Sequence, residues 1–323
     1  MSSSPARVAD SALNRITACL GSRARRGAPL APMCTDRVGG PAGVLVEAER
    51  TEDLVDLAAA LADLTEARVP TLVVGRGSNL LVADRGFPGV VVHLGPGFDR
   101  IEVDRRGGEP TGRVVLGAAV SLPIAARRLA SDGVVEFEWA VGVPGSVGGA
   151  VRMNAGGHGS DMAASVRSVE LFDLTTGEVT VAGSDELAFG YRTSSVSPST
   201  VVSSAVLERA VGDPDEAGSR ISEIVRWRRR HQPGGQNAGS VFTNPPGESA
   251  GRLIDAAGLK GFRVGTAEVS TKHANFIQAD ADGSADDVHR LIREVRRRVA
   301  DTFGVTLECE NRLVGFDPIG DGP

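Results

Sequence analysis

The segment Gly75-Arg76-Gly77-Ser78-Asn79 lies between two short apolar runs, Leu72-Val73-Val74 and Leu80-Leu81-Val82, and no helical pattern follows it. Glycines let backbone N–H groups approach a ligand closely, and Ser78 and Asn79 add donors. A doubly wound dinucleotide fold needs its glycine turn to open a helix, so the order strand, loop, strand excludes that fold. Taken alone, the same five residues would equally make a plain hairpin turn. A second glycine-rich stretch runs from Gly142 through Val143, Pro144, Gly145, Ser146, Val147, Gly148, Gly149 and Ala150 to Val151, and continues as Met153-Asn154-Ala155-Gly156-Gly157-His158-Gly159. No Lys-Ser/Thr pair follows its glycines, which excludes a P-loop. Its small residues suit either backbone packed flat against a planar ligand or pyrophosphate, or a tight turn in a β-rich core. Two such loops favour a dinucleotide more than either does alone.

The pattern around the loops is α+β. Val44–Val46 reads as a strand. Thr51 is a plausible N-cap for a helix carrying Leu54, Leu57, Ala58, Leu61 and Leu64 at helical period. Short β-like runs follow at 70–74, 80–82, 90–94, 114–116, 169–172, 179–181 and 201–207, interrupted by one helix that Ser121 caps and Gly133 ends. Gly212-Asp213-Pro214 marks a boundary. Beyond it, helices are expected before Pro233, over 249–259, and from Ser284 to Gly304, where Val288, Leu291, Ile292, Val295 and Val299 share a face and Ser284/Asp287 form the start. Alternation over Val305, Leu307 and Cys309 predicts a final strand. For a 323-residue chain this gives a variable N-terminal segment (1–35), a first domain (36–211, split near 95), a second domain (212–316) and a tail (317–323).

A net charge of −6 argues against general nucleic-acid binding. Cys19, Cys34 and Cys309 are odd in number and far apart, so neither a disulfide framework nor a zinc site is expected. No secretory signal and no run of the roughly 18 apolar residues a span needs is seen, so a cytoplasmic protein without membrane partners is expected. The five histidines show no metal-ligand spacing, and no metal is expected.

Several polar clusters can carry chemistry. Phe189-Gly190-Tyr191-Arg192 sets an arginine beside the only tyrosine, and arginine can hold a carboxylate bidentately, although a surface ion pair is the commoner use. Ser240 follows Gly239 ahead of Val241-Phe242; it could donate a proton or cap a helix, and without a G-x-S-x-G elbow it is no hydrolase nucleophile. Asn244, Lys272, His273 and Asn275 are further polar candidates. Glu310, beside Arg312, reads either as functional or as a routine exposed glutamate.

In their joint order these motifs resemble the UDP-N-acetylenolpyruvoylglucosamine reductase family. The order is Arg37-Val38-Gly39-Gly40-Pro41-Ala42, Gly75 to Leu81, Gly142 to Ala150 with Met153-Asn154-Ala155-Gly156, and Phe189 to Arg192. It continues with Gly239-Ser240-Val241-Phe242 and Asn244-Pro245, Ala257 to Gly261, Lys272 to Phe276, and Glu310 to Gly315. The resemblance spans about Asp36 to Gly315. It implies an FAD-binding domain of the vanillyl-alcohol oxidase/p-cresol methylhydroxylase type, made of two α+β subdomains, followed by an α+β substrate-binding C-terminal domain. It implies non-covalent FAD held by Gly75, Arg76, Gly77, Ser78, Asn79, Leu80, Gly142, Pro144, Gly145, Ser146, Gly149, Ala150 and Val151, chiefly through backbone N–H groups at the pyrophosphate.

The implied activity is NADPH-dependent reduction of UDP-N-acetylglucosamine enolpyruvate to UDP-N-acetylmuramate for peptidoglycan, with small molecules as the only partners and a monomer expected. Arg192 and Glu310 match the residues beside the enolpyruvyl carboxylate. A glutamate suits that place only when protonated or bridged through an arginine. Ser240 matches the proton donor to C2. Tyr191, Asn244, Lys272, His273 and Asn275 match substrate contacts. The chain departs from the family pattern at Arg152, where an aromatic residue is common, at His158 (tyrosine), and at His231 and Thr243 (lysines). The short segment after Arg192 points to the subclass without a long tyrosine-bearing loop. Two other readings stay open: a different oxidoreductase of the same flavin fold, and a catalytically silent UDP-sugar-binding paralogue.

Overall fold

The computed structural model describes residues 5–64 and 69–317, so the first four residues and nearly all of the expected tail lie outside the described residues. The fold is α+β. Two compact units each gather segments that are far apart in sequence.

The first unit comprises the described residues up to Gly27, Gly43–Arg76 and Gly89–Arg228. One sheet joins β1 (Ala24–Arg26), β2 (Ala42–Ala48), β5 (Phe87–Leu94) and β3 (Thr71–Val74) in that order, flanked by α1 (Pro5–Leu20) and α2 (Thr51–Ala62). Thr51 is the first helical residue of α2 and not its cap. Arg50 precedes the helix in extended backbone, and the Asp53 carboxylate reaches back to accept the N–H groups of Glu49 at 2.8 Å and Arg50 at 3.0 Å. This satisfies donors that a helix start leaves open. Ile16, Leu54, Leu57, Val44, Val90 and Val92 are fully buried in the core of this sheet. A side chain of that size contributes about 1.5–3 kcal/mol when buried.

The other sheet of this unit is five-stranded and antiparallel, in the order β11 (Val179–Gly183), β10 (Val166–Asp173), β12 (Thr200–Glu208), β7 (Glu109–Gly117), β6 (Ile101–Arg106). Its core collects Leu116, Leu122, Leu129, Phe137, Val151 and Leu207, with Ala217 and Ile221 from α5 (Pro214–His231). Helix α3 (Leu122–Ser131) starts after Ser121 with Pro123 in its first turn, as the sequence suggests, but the Ser121 hydroxyl makes no cap hydrogen bond. The second glycine stretch contains a short helix that its composition hides, α4 (Val147–Arg152), capped by the Ser146 hydroxyl. A Cβ on Gly148 would lie 2.9 Å from the Ala118 Cβ and 3.5 Å from the Val202 carbonyl oxygen, so the bare glycine lets α4 lie flat on the sheet. The hairpin β8 (Gly156–Gly157) and β9 (Ser160–Asp161) follows.

The second unit gathers Ala28–Ala42, Gly77–Pro88 and the described residues from Arg229 on. Strand β4 (Leu80–Val82) pairs in parallel with β16 (Arg312–Val314), Leu81 facing Leu313. A three-stranded sheet, β13 (Arg263–Val264), β14 (Ala267–Val269), β15 (Ile277–Ala279), packs with α6 (Ala250–Ala256) and α7 (Ala285–Phe303) around Phe242, Leu253, Leu291, Ile292 and Leu307. The Ser284 hydroxyl accepts the Asp287 N–H at 3.1 Å, and Gly304 at φ 69° ends α7. Asp287 does not reach back to the cap: its carboxylate accepts the Thr266 N–H at 2.7 Å and hydroxyl at 2.9 Å.

Val305 to Cys309 is not a strand. Its neighbour is the irregular segment 241–243, and the two share one bridge, Phe242 with Cys309, flanked by Thr243 N–H to Glu308 O at 2.9 Å and Glu310 N–H to Val241 O at 2.7 Å. The apolar alternation buries Leu307 without a ladder forming.

Candidate active site

In the first unit both glycine loops reach one cavity of about 140 Å³. Gly75 and Arg76 come from the first loop, and Ser146, Gly148 and Gly149 from the second, while Val73, Leu94, Val196 and Val202 give it apolar walls. A Cβ on Gly75 would collide with the Ser146 hydroxyl, so the two loops touch only because one of them has no side chain there. The N–H groups of Val147 and Gly148 donate to Val120 O and Ala118 O, both at 2.9 Å, and Leu122 N–H donates to Gly145 O at 3.0 Å. These bonds hold the second loop in shape. Ala150 and Val151 turn into the hydrophobic core, 2% and 0% exposed, and Pro144 is exposed.

Farther along the same stretch, Gly142 meets the imidazole of His158, and its carbonyl accepts a hydrogen bond from Arg228. His158 stands edge-on to Trp227 with ring centroids 5.2 Å apart. Burial, and then the Arg228 charge, hold the His158 imidazole below its ordinary pKa. Left-handed backbone occurs at the non-glycine residues Asn154 (φ 37°) and His158 (52°), beside and within the hairpin, and at Ala188 (42°) and Arg192 (55°), between β11 and β12. Such conformations persist where surroundings over-determine them, and they collect at functional sites. The surroundings here are hydrogen bonds. Asn154 Nδ2 donates to Gly190 O at 2.9 Å, and an Arg192 guanidinium N–H donates to Gly156 O at 3.3 Å. The Arg192 guanidinium also lies 5.6 Å from the ring centroid of Tyr191, which is 67% exposed.

The other residues expected in the site belong to the second unit. Gly77 packs on Met33 and Cys34 at φ 55°. Asn79 Nδ2 donates to Glu310 O at 3.1 Å, and its carbonyl accepts Arg312 N–H at 2.9 Å. Asn311, which the sequence reading passed over, is 7% exposed and directs its Nδ2 at Asn79 Oδ1 (3.0 Å), Ala238 O (2.9 Å) and Ser240 O (3.3 Å). The Ser240 carbonyl is thus held by the Asn311 amide, which also holds Asn79 at the end of the first glycine loop, and the Asn79 amide in turn holds the Glu310 carbonyl. Leu80 is buried in strand β4.

Asn275, 5% exposed, brackets the residues after Ser240: its Nδ2 donates to Phe242 O at 2.8 Å and its Oδ1 accepts Phe242 N–H at 2.9 Å. Asn244 Oδ1 accepts Ala250 N–H at 3.1 Å, at the start of α6. Asn275 therefore shapes the backbone just after Ser240, and Asn244 shapes the start of α6. Lys272 donates to the Arg229 carbonyl. His273 packs edge-on against Phe276, and burial and then the Lys260 charge hold its pKa below the ordinary value. Among the described residues no group of three or more His, Cys, Asp or Glu is placed to hold a metal, and no helix is long and apolar enough to cross a membrane.

Residues 43–183 match the family of FAD binding domains, and residues 231–314 match the C-terminal domain of UDP-N-acetylenolpyruvoylglucosamine reductase. UDP-N-acetylenolpyruvoylglucosamine reductase of Paramagnetospirillum magneticum is 42% identical over 291 residues, 90% of this chain and 91% of the relative. The protein of the same name from an Anaeromyxobacter species is 44% identical over 292 residues, 90% of this chain and 88% of its own length. The crystal structure of UDP-N-acetylenolpyruvylglucosamine reductase from Thermus caldophilus superposes with a TM-score of 0.77 at 37% identity, covering 90% of this chain and 99% of that one. By likeness along nearly its whole length, the chain belongs to the UDP-N-acetylenolpyruvoylglucosamine reductase family.

Proposed function

We propose that this chain reduces the enolpyruvyl group of UDP-N-acetylglucosamine enolpyruvate to the lactyl group of UDP-N-acetylmuramate, with FAD as cofactor and NADPH as hydride donor, in peptidoglycan precursor synthesis. The observation that carries the reading is the likeness to reductases of that name over 90% of the chain. The cavity supports the cofactor: it joins residues of both glycine loops, and at Gly75 a side chain would fill the space between them. Gly75, Arg76, Ser146 and Gly149 would hold FAD there. When bound, FAD supplies hydride transfer from NADPH to the substrate.

Reduction at C3 of the enolpyruvyl group leaves negative charge at C2 and on the carboxylate, and a catalyst must place donors where that charge develops. We assign Arg192 and Glu310 to the carboxylate and Ser240 to proton delivery at C2. A serine hydroxyl is a weak acid in water, but it is competent against a strongly basic carbon at close range. Asn311 and Asn275 orient the backbone on either side of Ser240. Tyr191, Asn244, Lys272 and His273 complete the proposed substrate site. We place the enzyme in the cytoplasm as a monomer acting on small molecules.

The test is anaerobic absorbance at the flavin band. Limiting NADPH should bleach it, and the enolpyruvyl sugar should restore it. Bleaching without recovery removes the substrate assignment. A protein that cannot be loaded with FAD removes the whole reading.

A further inference from the structure

Helix α4 ends as helices do when a left-handed residue stops them: Asn154 N–H donates to Val151 O at 3.2 Å, and Ala155 N–H donates to Ala150 O at 2.9 Å. Glycine takes that left-handed position without strain, but here Asn154 holds it at φ 37°. Its side chain is buried, 7% exposed, and bonded at both ends of the amide. Oδ1 accepts the Ala163 N–H at 2.9 Å, while Nδ2 donates to Gly190 O at 2.9 Å and to an Asp161 carboxylate oxygen at 3.4 Å. A backbone N–H only donates and a carbonyl only accepts, so these partners fix which way the amide points.

Gly190 begins a tight turn. Its N–H donates to Thr193 O at 3.0 Å and its carbonyl accepts the Thr193 N–H at 3.4 Å, which leaves Tyr191 and Arg192 at the tip. Arg192 reaches back to Gly156 O, and the Ser194 hydroxyl reaches Arg152 O at 2.8 Å. Asn154, Arg192 and Ser194 thus stitch the turn to residues 152–156, and of these three donors only Asn154 is buried. Residues 152–156 run directly on from α4, whose Gly148 and Gly149, with the capping Ser146, line the cavity.

We propose that Asn154 is a positioning residue: its amide sets the Tyr191-Arg192 turn in register with α4, so that the Arg192 guanidinium meets the substrate carboxylate at a fixed place relative to the flavin. This role rests on the proposed function, in which Arg192 holds that carboxylate. A displacement of about 1 Å in a reacting geometry can cost on the order of 10²-fold in rate, so a buried amide can act on the chemistry without touching substrate.

The experiment uses FAD-loaded wild type, Asn154→Gly, Asn154→Ala, Arg192→Ala, and Asn154→Gly placed in the Arg192→Ala background. Stopped-flow absorbance follows bleaching of the flavin by NADPH and then its reoxidation by UDP-N-acetylglucosamine enolpyruvate, and thermal melts accompany both. Asn154→Gly deletes the amide and leaves the left-handed backbone unstrained, whereas Asn154→Ala deletes the amide and keeps the strain. Both should slow reoxidation by roughly 10- to 100-fold, and to the same extent, although Asn154→Ala melts lower. Bleaching should keep its wild-type rate, because NADPH has no carboxylate for Arg192 to hold. In the Arg192→Ala background, Asn154→Gly should cost no more than about twofold further, since residues that act through one another are not additive. A loss as large in that background as in wild type overturns the proposal. So does reoxidation that tracks the melting temperature of the two Asn154 variants, or equal slowing of bleaching and reoxidation, which would make Asn154 only a brace for α4. Wild type that NADPH bleaches and the enolpyruvyl sugar does not restore overturns the functional reading, and the role of Asn154 falls with it.

Discussion

Asn79 and Glu310, 231 residues apart in sequence, are joined by a hydrogen bond from the Asn79 side-chain amide to the Glu310 carbonyl at 3.1 Å. Asn311 locks the pair by donating to Asn79 Oδ1 while also meeting the Ser240 carbonyl. Removing that amide leaves part-buried acceptors without a donor, which costs at most about 1–3 kcal/mol. Asn311→Ala should therefore lower the melting temperature and also reduce kcat more than it raises KM, because Ser240 loses a direct hydrogen bond and the Asn79 amide that holds Glu310 loses its anchor. Steady-state kinetics beside thermal melts check this. A destabilised variant with wild-type kcat would separate Asn311 from the chemistry.

If Ser240 delivers the proton at C2, Ser240→Ala should lower turnover by about 10²- to 10⁴-fold, the usual worth of a positioned acid. Bleaching of the flavin band by NADPH should keep its wild-type rate, since that half of the reaction needs no proton at C2. Stopped-flow absorbance reads the two halves separately. Equal slowing of both would point to a structural role for the serine.

Asp36 is 4% exposed, and neither of its carboxylate oxygens has a hydrogen-bond partner among the described residues. Burial pushes its pKa up to about 7. The nearby Val38 and Asp36 amides, which fall short of full hydrogen-bond geometry, offset only part of that rise. A carboxyl whose folded pKa is raised favours the folded state while protonated. Its contribution is complete below the ordinary carboxylate range near 3.8 and is lost as the pH rises through about 7. The span between those values corresponds to at most roughly 4 kcal/mol. Asp36→Asn keeps the shape and removes the charge, so it should be more stable than wild type at pH 8 and show little advantage at pH 4.5. Urea unfolding at the two pH values measures this, and an advantage that does not change with pH would contradict the assignment.

Much of the fold is legible in local signals. Helix α7 is bounded by Ser284 and by a left-handed Gly304, both visible as residue types at helical ends. Helix α4 was not legible, because glycines at 148 and 149 weigh against a helix and only packing on Ala118 and Val202 favours it. The alternation at 305–309 was legible and misleading: period two reports burial on one side, while a strand also needs a regular partner, and the segment 241–243 is not one. Shared membership of one unit by residues 28–42, 77–88 and the C-terminal segment follows from pairing of β4 with β16, and no local composition encodes it. Within the proposed site, Ser240, Arg192 and Glu310 are picked out by the motifs that carry the family resemblance. The convergence of Asn311 on Asn79 could not be read, since it depends on two amides 232 residues apart.

Two glycines in the two glycine-rich stretches should respond very unequally to the same substitution. Gly77 has φ 55°, and a Cβ there would collide with the Met33 carbonyl oxygen and lie 2.7 Å from the Cys34 Cα. Both obstacles are backbone and cannot rotate away. Gly77→Ala should therefore cost at least about 2 kcal/mol, from left-handed strain together with the clash. It should also shift the first glycine loop and weaken FAD retention. Gly157 has neither a positive φ nor an atom within 4 Å of a Cβ. Gly157→Ala should change stability by no more than about 0.5 kcal/mol. Denaturant midpoints and flavin content after gel filtration read both variants. A tolerated Gly77→Ala would mean that the segment at Met33 and Cys34 can move, and the first loop would then owe its shape to Asn79 and its bond to Glu310 alone.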